Sequence, residues 1–213
     1  MSNLAGPTAT SRPHRLVALA LLLSATLATG TQAGAIPQHG ETLPAEDDAY
    51  TAKIHEYTTE PYFLTPLVES LPASDTVPTT LDLLGYIAGA EGHLTYAADV
   101  HRYMRALAAA SPRVEVHAMG RTEEGRERLV VVISDEQTLA NLAHYKQITA
   151  RLADPRGLSE EEAHRLIAEG KPFYWAVGGL HSPETGSPEM LMELAYRLAV
   201  AERPLFQQIR DNS

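Results

Sequence analysis

The sequence predicts an α/β fold, a mixed and largely parallel sheet with helices on both faces. Along residues 94–200, segments with helical spacing of apolar residues alternate with short strand-like segments. One of these, PFYWAVGG (Pro172–Gly179), is almost wholly apolar, which is typical of a central strand covered on both sides. Because 44% of the 213 residues are hydrophobic, the chain can also bury a sizeable core.

Composition excludes several classes of protein. The chain has a formal net charge of -10, and its basic side chains are scattered, which argues against binding to a nucleic acid backbone. It contains no cysteine, so a disulfide framework, a thiolate metal site and a cysteine nucleophile are all excluded. Any metal would therefore be held by nitrogen and oxygen atoms.

The first 35 residues resemble an export signal. Arg12 and Arg15 give a basic start, and the apolar run Leu16–Ala28 follows. This run is shorter than the about 20 apolar residues that span a bilayer, and Ala33–Ala35 has the small-residue pattern of a cleavage site. We expect a signal peptide cleaved near Ala35 and a secreted or periplasmic protein without a stable membrane anchor; an uncleaved anchor is the alternative.

Residues 36–92 are rich in proline, threonine and acids, and we expect an extended N-terminal arm. Several apolar side chains in it could dock onto the domain, so a wrapping segment is favoured over a free linker. These are Tyr62, Phe63, Leu64 and Leu67.

Regular elements begin at Leu94. An amphipathic helix is predicted up to Ser111, followed by a hairpin whose strands RVEVHAM and RLVVVIS flank the polar turn GRTEEGRE. A second helix is predicted over residues 136–152. A third begins at Ser159, which forms a capping-box pattern with Glu162.

After the apolar run, a last helix is predicted with Ser187 as its N-cap and Pro188 at its first position. The loop between the run and this helix contains His181 and Glu184, the only H-x-x-E in the chain. An imidazole and a carboxylate at this spacing suit Zn²⁺. The loop would leave the carboxyl end of a buried strand, where α/β sheets gather ligands. The alternative is structural: His181 would cap the strand and Glu184 would pair with an arginine.

Two motifs in order, GRTEEGR (Gly120–Arg126) and HSPETG (His181–Gly186), make residues 94–213 similar to the M14 family of zinc carboxypeptidases. The resemblance implies a zinc carboxypeptidase-like fold and identifies His181 and Glu184 with the family's first two zinc ligands. Pro183 stands where digestive members have an arginine that contacts substrate. The family's third ligand, carboxylate clamp, mobile tyrosine and catalytic glutamate lie later than Ser213. We therefore expect no catalytic residue within residues 1–213, and a domain at 93–213 that is incomplete at its C-terminus.

The resemblance implies a zinc-dependent metallocarboxypeptidase that releases C-terminal residues from peptides or proteins. The alternative is a non-catalytic, exported, carboxypeptidase-like binding module. The substrate-binding residues and the side-chain specificity are not indicated by the sequence.

Overall fold

A computed structural model describes residues 45–213. The predicted signal peptide (1–35) and the first part of the predicted arm (36–44) lie outside the described residues. No helix within residues 45–213 is both long enough and apolar enough to cross a membrane.

Helices dominate the described part of the chain, together with one hairpin. The helices are α1 (Asp48–Tyr57), α2 (Thr80–Leu84), α3 (Ala97–Ala110), α4 (Glu136–Ala140), α5 (Leu142–Ala153), α6 (Glu160–Glu169), α7 (Gly186–Val200) and α8 (Pro204–Asn212). The strands are β1 (Val114–Arg121) and β2 (Glu127–Ile133), and a single 3₁₀ turn covers Pro61–Phe63.

The predicted hairpin is confirmed. Strands β1 and β2 pair antiparallel from Val114 opposite Ile133 to Arg121 opposite Glu127, with a β-bulge between Ala118 and Gly120. The fold is therefore a mixture of helix and strand. Among residues 45–213 the sheet has two strands and contains no parallel pair.

The strand predicted at Pro172–Gly179 is wrong for the described structure. This segment has no strand partner within residues 45–213, and its large side chains are exposed, including Tyr174 at 89% and the only tryptophan, Trp175, at 67%. Apolar composition marks a segment suited to burial, but a strand also needs a neighbour to accept its backbone hydrogen bonds. Trp175, expected in the core, lies at the surface.

The core forms where α3 packs against α7, and α7 also contacts β2. Tyr103 and Leu107 of α3 meet Met192 and Tyr196 of α7, and all four are buried. This packing follows from the helical spacing of apolar residues on both helices, which gives each an apolar stripe.

The two helices run parallel. At their N-terminal ends, the Thr95 backbone N–H donates to Glu189, at 3.0 Å. At their C-terminal ends, the Arg113 guanidinium donates to the Ala199 carbonyl oxygen, at 3.1 Å. The starts of α3 and α7 therefore lie side by side at one end of the core.

The arm docks onto this core but is not extended as predicted. It contains α1 and α2, each with an aspartate or threonine N-cap, and the capping box of α2 between Thr79 and Asp82 is complete. Docking uses Tyr50, Leu71 and Ile87, which are buried.

The apolar side chains expected to dock the arm do not do so. Tyr62, Phe63 and Leu67 are exposed, and Leu64 is partly buried. The arm docks instead through residues that show no periodic spacing in the sequence.

Helix boundaries differ from the prediction at two places. The helix expected over 136–152 is divided at Asn141, whose side-chain amide donates to the Gln137 carbonyl oxygen at 2.8 Å and so competes with the helical backbone. Helix α7 begins at Gly186 with Thr185 as its N-cap residue, so Ser187 is not the cap and Pro188 is the third helical residue.

Candidate functional site

Two glycines control how the chain enters the H-x-x-E loop. Gly179 has φ +69°, in the left-handed region that other residues rarely adopt. A Cβ on Gly178 would lie 2.9 Å from the Ser187 carbonyl carbon and 3.0 Å from the Pro188 nitrogen. The backbone at Gly178 therefore lies directly against the first turn of α7, an approach that only glycine permits.

Between these glycines and α7, residues 181–185 form a tight turn. The Glu184 backbone N–H donates to the His181 carbonyl oxygen at 3.0 Å, and the Thr185 N–H donates to the Pro183 carbonyl oxygen at 3.0 Å. The Glu184 carboxylate also folds back and accepts a hydrogen bond from the His181 backbone N–H at 3.3 Å. The turn thus brings the two predicted ligands into one local unit, immediately before a helix.

The two side chains are free to meet a ligand from solvent. Both His181 and Glu184 are exposed. Within residues 45–213 Glu184 forms no ion pair, so the structural alternative in which it pairs with an arginine is not what the structure has.

Zinc fits this turn in donor chemistry. An imidazole nitrogen and a carboxylate oxygen are common zinc ligands, and three residues of separation across a turn allow both to face one point. Among the described residues, no group of three or more His, Asp or Glu side chains is close enough to hold a metal ion. The turn therefore offers two ligands of the right kind.

The other motif, the hairpin turn, is held by local bonds. The Arg121 guanidinium donates to the Gly125 carbonyl oxygen at 2.7 Å, and Gly125 has φ +78°. Glu123 and Glu124 are exposed in this turn, so their presence is explained by the polar residues that a hairpin turn favours.

Glu189 is the one buried carboxylate among residues 45–213, and its sequence context does not single it out. It lies in the first turn of α7 with 6% of its surface exposed, and it accepts hydrogen bonds from two backbone N–H groups. Its position at a helix N-terminus was the available signal, because acidic residues are favoured there. That preference does not distinguish a buried carboxylate from a solvated one.

Comparison with known proteins supports the resemblance that the motifs carry. The family model described as zinc carboxypeptidase (peptidase M14) matches residues 100–213, which is more than half of the chain. No curated protein and no solved structure matches. The matched region runs from α3 through the hairpin and the His181–Glu184 turn to α8, so the chain belongs to the zinc carboxypeptidase family of peptidases.

Proposed function

We propose that this chain supplies the first two metal ligands of a zinc-dependent metallocarboxypeptidase, which releases C-terminal residues from peptides or proteins. The observation that carries the proposal is the exposed His181–Glu184 turn at the start of α7, within the region that the family model matches. His181 would contribute an imidazole nitrogen and Glu184 a carboxylate oxygen as the first two metal ligands.

Bound zinc would polarise the scissile carbonyl group and lower the pKa of a bound water. The chain's own contribution is to hold the two ligands in a fixed relation. The two hydrogen bonds between His181 and Glu184 restrict their separation, and the contact of Gly178 with α7 sets where the turn stands relative to the core. Such restraint lowers the entropy lost when a metal or substrate binds.

The proposal includes the organisation of the whole chain. Residues 1–35 would be a signal peptide cleaved near Ala35, residues 36–92 an arm, and residues 93–213 the N-terminal part of the catalytic domain. The protein would act outside the cytoplasm, as a secreted or periplasmic enzyme. N-terminal sequencing of the exported protein tests this: a mature N-terminus well before or after Ile36 would contradict it.

Zinc binding tests the metal site directly. Zinc affinity would be measured by competition with a chromophoric chelator for the wild-type protein, His181→Ala and the control His164→Ala. His164 suits the control because it is also an exposed histidine, on α6 and outside the turn. Loss of a ligand should weaken zinc binding by more than the roughly 10- to 100-fold typical of changes to residues around a metal site. Equal affinity in wild type and His181→Ala would refute the proposed site.

Peptide turnover separates the enzyme from the non-catalytic binding module. The protein expressed from the whole reading frame would be loaded with zinc and incubated with a peptide of known sequence, and the products followed by mass spectrometry. Stepwise loss of C-terminal residues supports the carboxypeptidase. Peptide binding without any cleavage would support the binding module instead.

A further inference from the structure

A buried carboxylate anchors the start of α7. Glu189 lies five residues after Glu184, and only 6% of its surface is exposed. Its Oε2 accepts a hydrogen bond from the Gly89 backbone N–H at 2.7 Å, and its Oε1 accepts one from the Thr95 backbone N–H at 3.0 Å. Both oxygens are therefore used, and both partners belong to the chain segment that leads into α3.

The charge on Glu189 is balanced without a cation. Among the described residues it forms no ion pair, so its charge is stabilised by the two N–H donors and by the N-terminal end of the α7 dipole. When a buried charged group loses a hydrogen-bond partner, the folded state loses the full desolvation free energy of that group. This arrangement strongly favours a single placement of the first turn of α7 relative to residues 89–95.

The segment that Glu189 holds is itself rigid. Tyr86 stacks on His93 with ring centroids 4.2 Å apart, and its hydroxyl lies 3.1 Å from the Thr95 hydroxyl. Gly89 and Gly92 both have positive φ, which glycine adopts without strain and which allows the tight path between the two stacked residues. We call residues 85–96 the anchor loop.

The turn of His181 and Glu184 thus lies between two contacts with α7. On its N-terminal side, Gly178 packs against the backbone of Ser187 and Pro188. On its C-terminal side, the first turn of α7 is tied by Glu189 to the anchor loop. If the first turn of α7 moves, both ends of the metal-binding turn move with it.

We propose that Glu189 is a positioning residue for the metal site: by fixing the first turn of α7 to the anchor loop, it holds His181 and Glu184 in the arrangement that binds zinc. The proposal rests on the proposed function in that these two residues are the zinc ligands. It assigns the N-terminal arm a role in the metal site, because the anchor loop begins in the arm.

A purely structural role for Glu189 makes a different prediction, and the chain offers a matched control. Glu193, one turn further along α7, also joins α7 to the arm: it accepts a hydrogen bond from the Tyr50 hydroxyl at 3.2 Å and pairs with Arg197 at 2.7 Å. It differs from Glu189 in being one turn further from the ligands. If anchoring the arm matters only for stability, Glu189→Gln and Glu193→Gln should affect zinc binding alike.

The test compares zinc affinity in the wild-type protein, Glu189→Gln and Glu193→Gln. Each variant is first shown to be folded by far-UV circular dichroism and thermal unfolding. In Glu189→Gln an amide NH₂ faces a backbone N–H, so one hydrogen bond is lost and the first turn of α7 shifts. We expect zinc to bind about tenfold more weakly in this variant, and to bind Glu193→Gln as it binds the wild type.

The zinc affinities of these variants distinguish the positioning role from the proposed function. If the wild-type protein binds zinc and the two glutamine variants bind it equally well, the positioning role is overturned while the proposed function stands. If the wild type binds zinc no better than His181→Ala, the proposed function fails and the positioning role with it. Should Glu189→Gln not fold, Glu189→Asp, which keeps both oxygens but shortens their reach, takes its place. Wild-type zinc affinity in folded Glu189→Asp would overturn the proposal.

Discussion

Substituting Gly178 by alanine tests whether the metal-binding turn depends on its contact with α7. The added Cβ would lie 2.9 Å from both the Leu191 Cδ1 atom and the Ser187 carbonyl carbon, and 3.0 Å from the Pro188 nitrogen. The leucine methyl group can rotate away. The two backbone atoms belong to α7 and cannot move without displacing its first turn.

Forcing a methyl group into such a contact typically costs about 1–3 kcal/mol. The matched control is Gly186→Ala, eight positions later in the same segment, where a Cβ would meet nothing within 4 Å. At this helical position alanine should raise the free energy of unfolding by up to about 1 kcal/mol, because it restricts the unfolded chain. Gly178→Ala should therefore be less stable and Gly186→Ala more stable than the wild type, and the two variants should differ by roughly 1–4 kcal/mol.

Urea unfolding followed by far-UV circular dichroism measures both variants. Fluorescence is less suitable, since the only tryptophan, Trp175, is already exposed in the folded state. Zinc affinity should fall in Gly178→Ala and stay unchanged in Gly186→Ala. If Gly178→Ala were as stable as Gly186→Ala and bound zinc equally well, the contact between residue 178 and α7 would not hold the turn in place.

Three further changes test contacts elsewhere in the described fold. Burial alone would raise the pKa of Asp135, but hydrogen bonds from Lys171 and Thr138 outweigh it and lower the pKa to about 2 from the usual 3.8. Above pH 4 the ionised Asp135 should therefore add about 2 kcal/mol to the free energy of unfolding of the wild type, and this contribution should be lost as the pH falls towards 2. Asp135→Asn should lack the contribution at all pH values; parallel pH–stability curves for the two proteins would contradict this. Arg197→Ala should lower the free energy of unfolding by about 3–5 kcal/mol in urea titrations, because the partly buried Glu193 loses its ion-pair partner and three arm carbonyl groups lose their donor. A loss below about 1 kcal/mol would fit an exposed ion pair instead. Tyr50→Phe should cost about 1 kcal/mol by the same measurement, since the buried hydroxyl bonds Thr80 and Glu193; a variant as stable as the wild type would show that this hydroxyl adds nothing.

Elements with a strong local signal could be predicted from the sequence. Helix α3 has apolar residues at helical spacing and is capped at its C-terminus by Ser111, before Pro112, and the hairpin has two apolar strands around a glycine-bracketed turn. Helix α6 begins after Ser159, whose hydroxyl accepts from the Glu162 N–H at 3.2 Å as a helix cap should. In each case the interactions that set the element lie within a few residues of one another.

Elements that depend on distant partners could not be predicted in the same way. The segment Pro172–Gly179 has the composition of a buried strand, but pairing is decided by a neighbouring strand, which its own residues do not specify. In the arm, Tyr50 is buried by contacts with Thr80 and Glu193, far away in sequence. The proline-rich composition of the arm indicates its local backbone conformation but does not indicate these contacts.

The candidate site shows the same difference between local and long-range interactions. His181 and Glu184 are three residues apart, so their proximity follows from the sequence, and the turn that joins them has the expected glycines before it. Glu189 gains its importance from Gly89 and Thr95, about a hundred residues earlier. Only the fold brings these backbone groups to its carboxylate.

The long sequence separations between the arm and α7 also govern when the protein can fold. Gly89 and the carbonyl groups around residue 68 bond to α7, and the Tyr50 hydroxyl has one of its partners there, in each case about 100 or more residues later in the chain. At a synthesis rate of about 5–20 residues per second, the arm waits on the order of ten seconds for those partners. For that interval Tyr50 and Leu71 of the arm lack the α7 residues Met192 and Tyr196, with which they form the core of the folded protein.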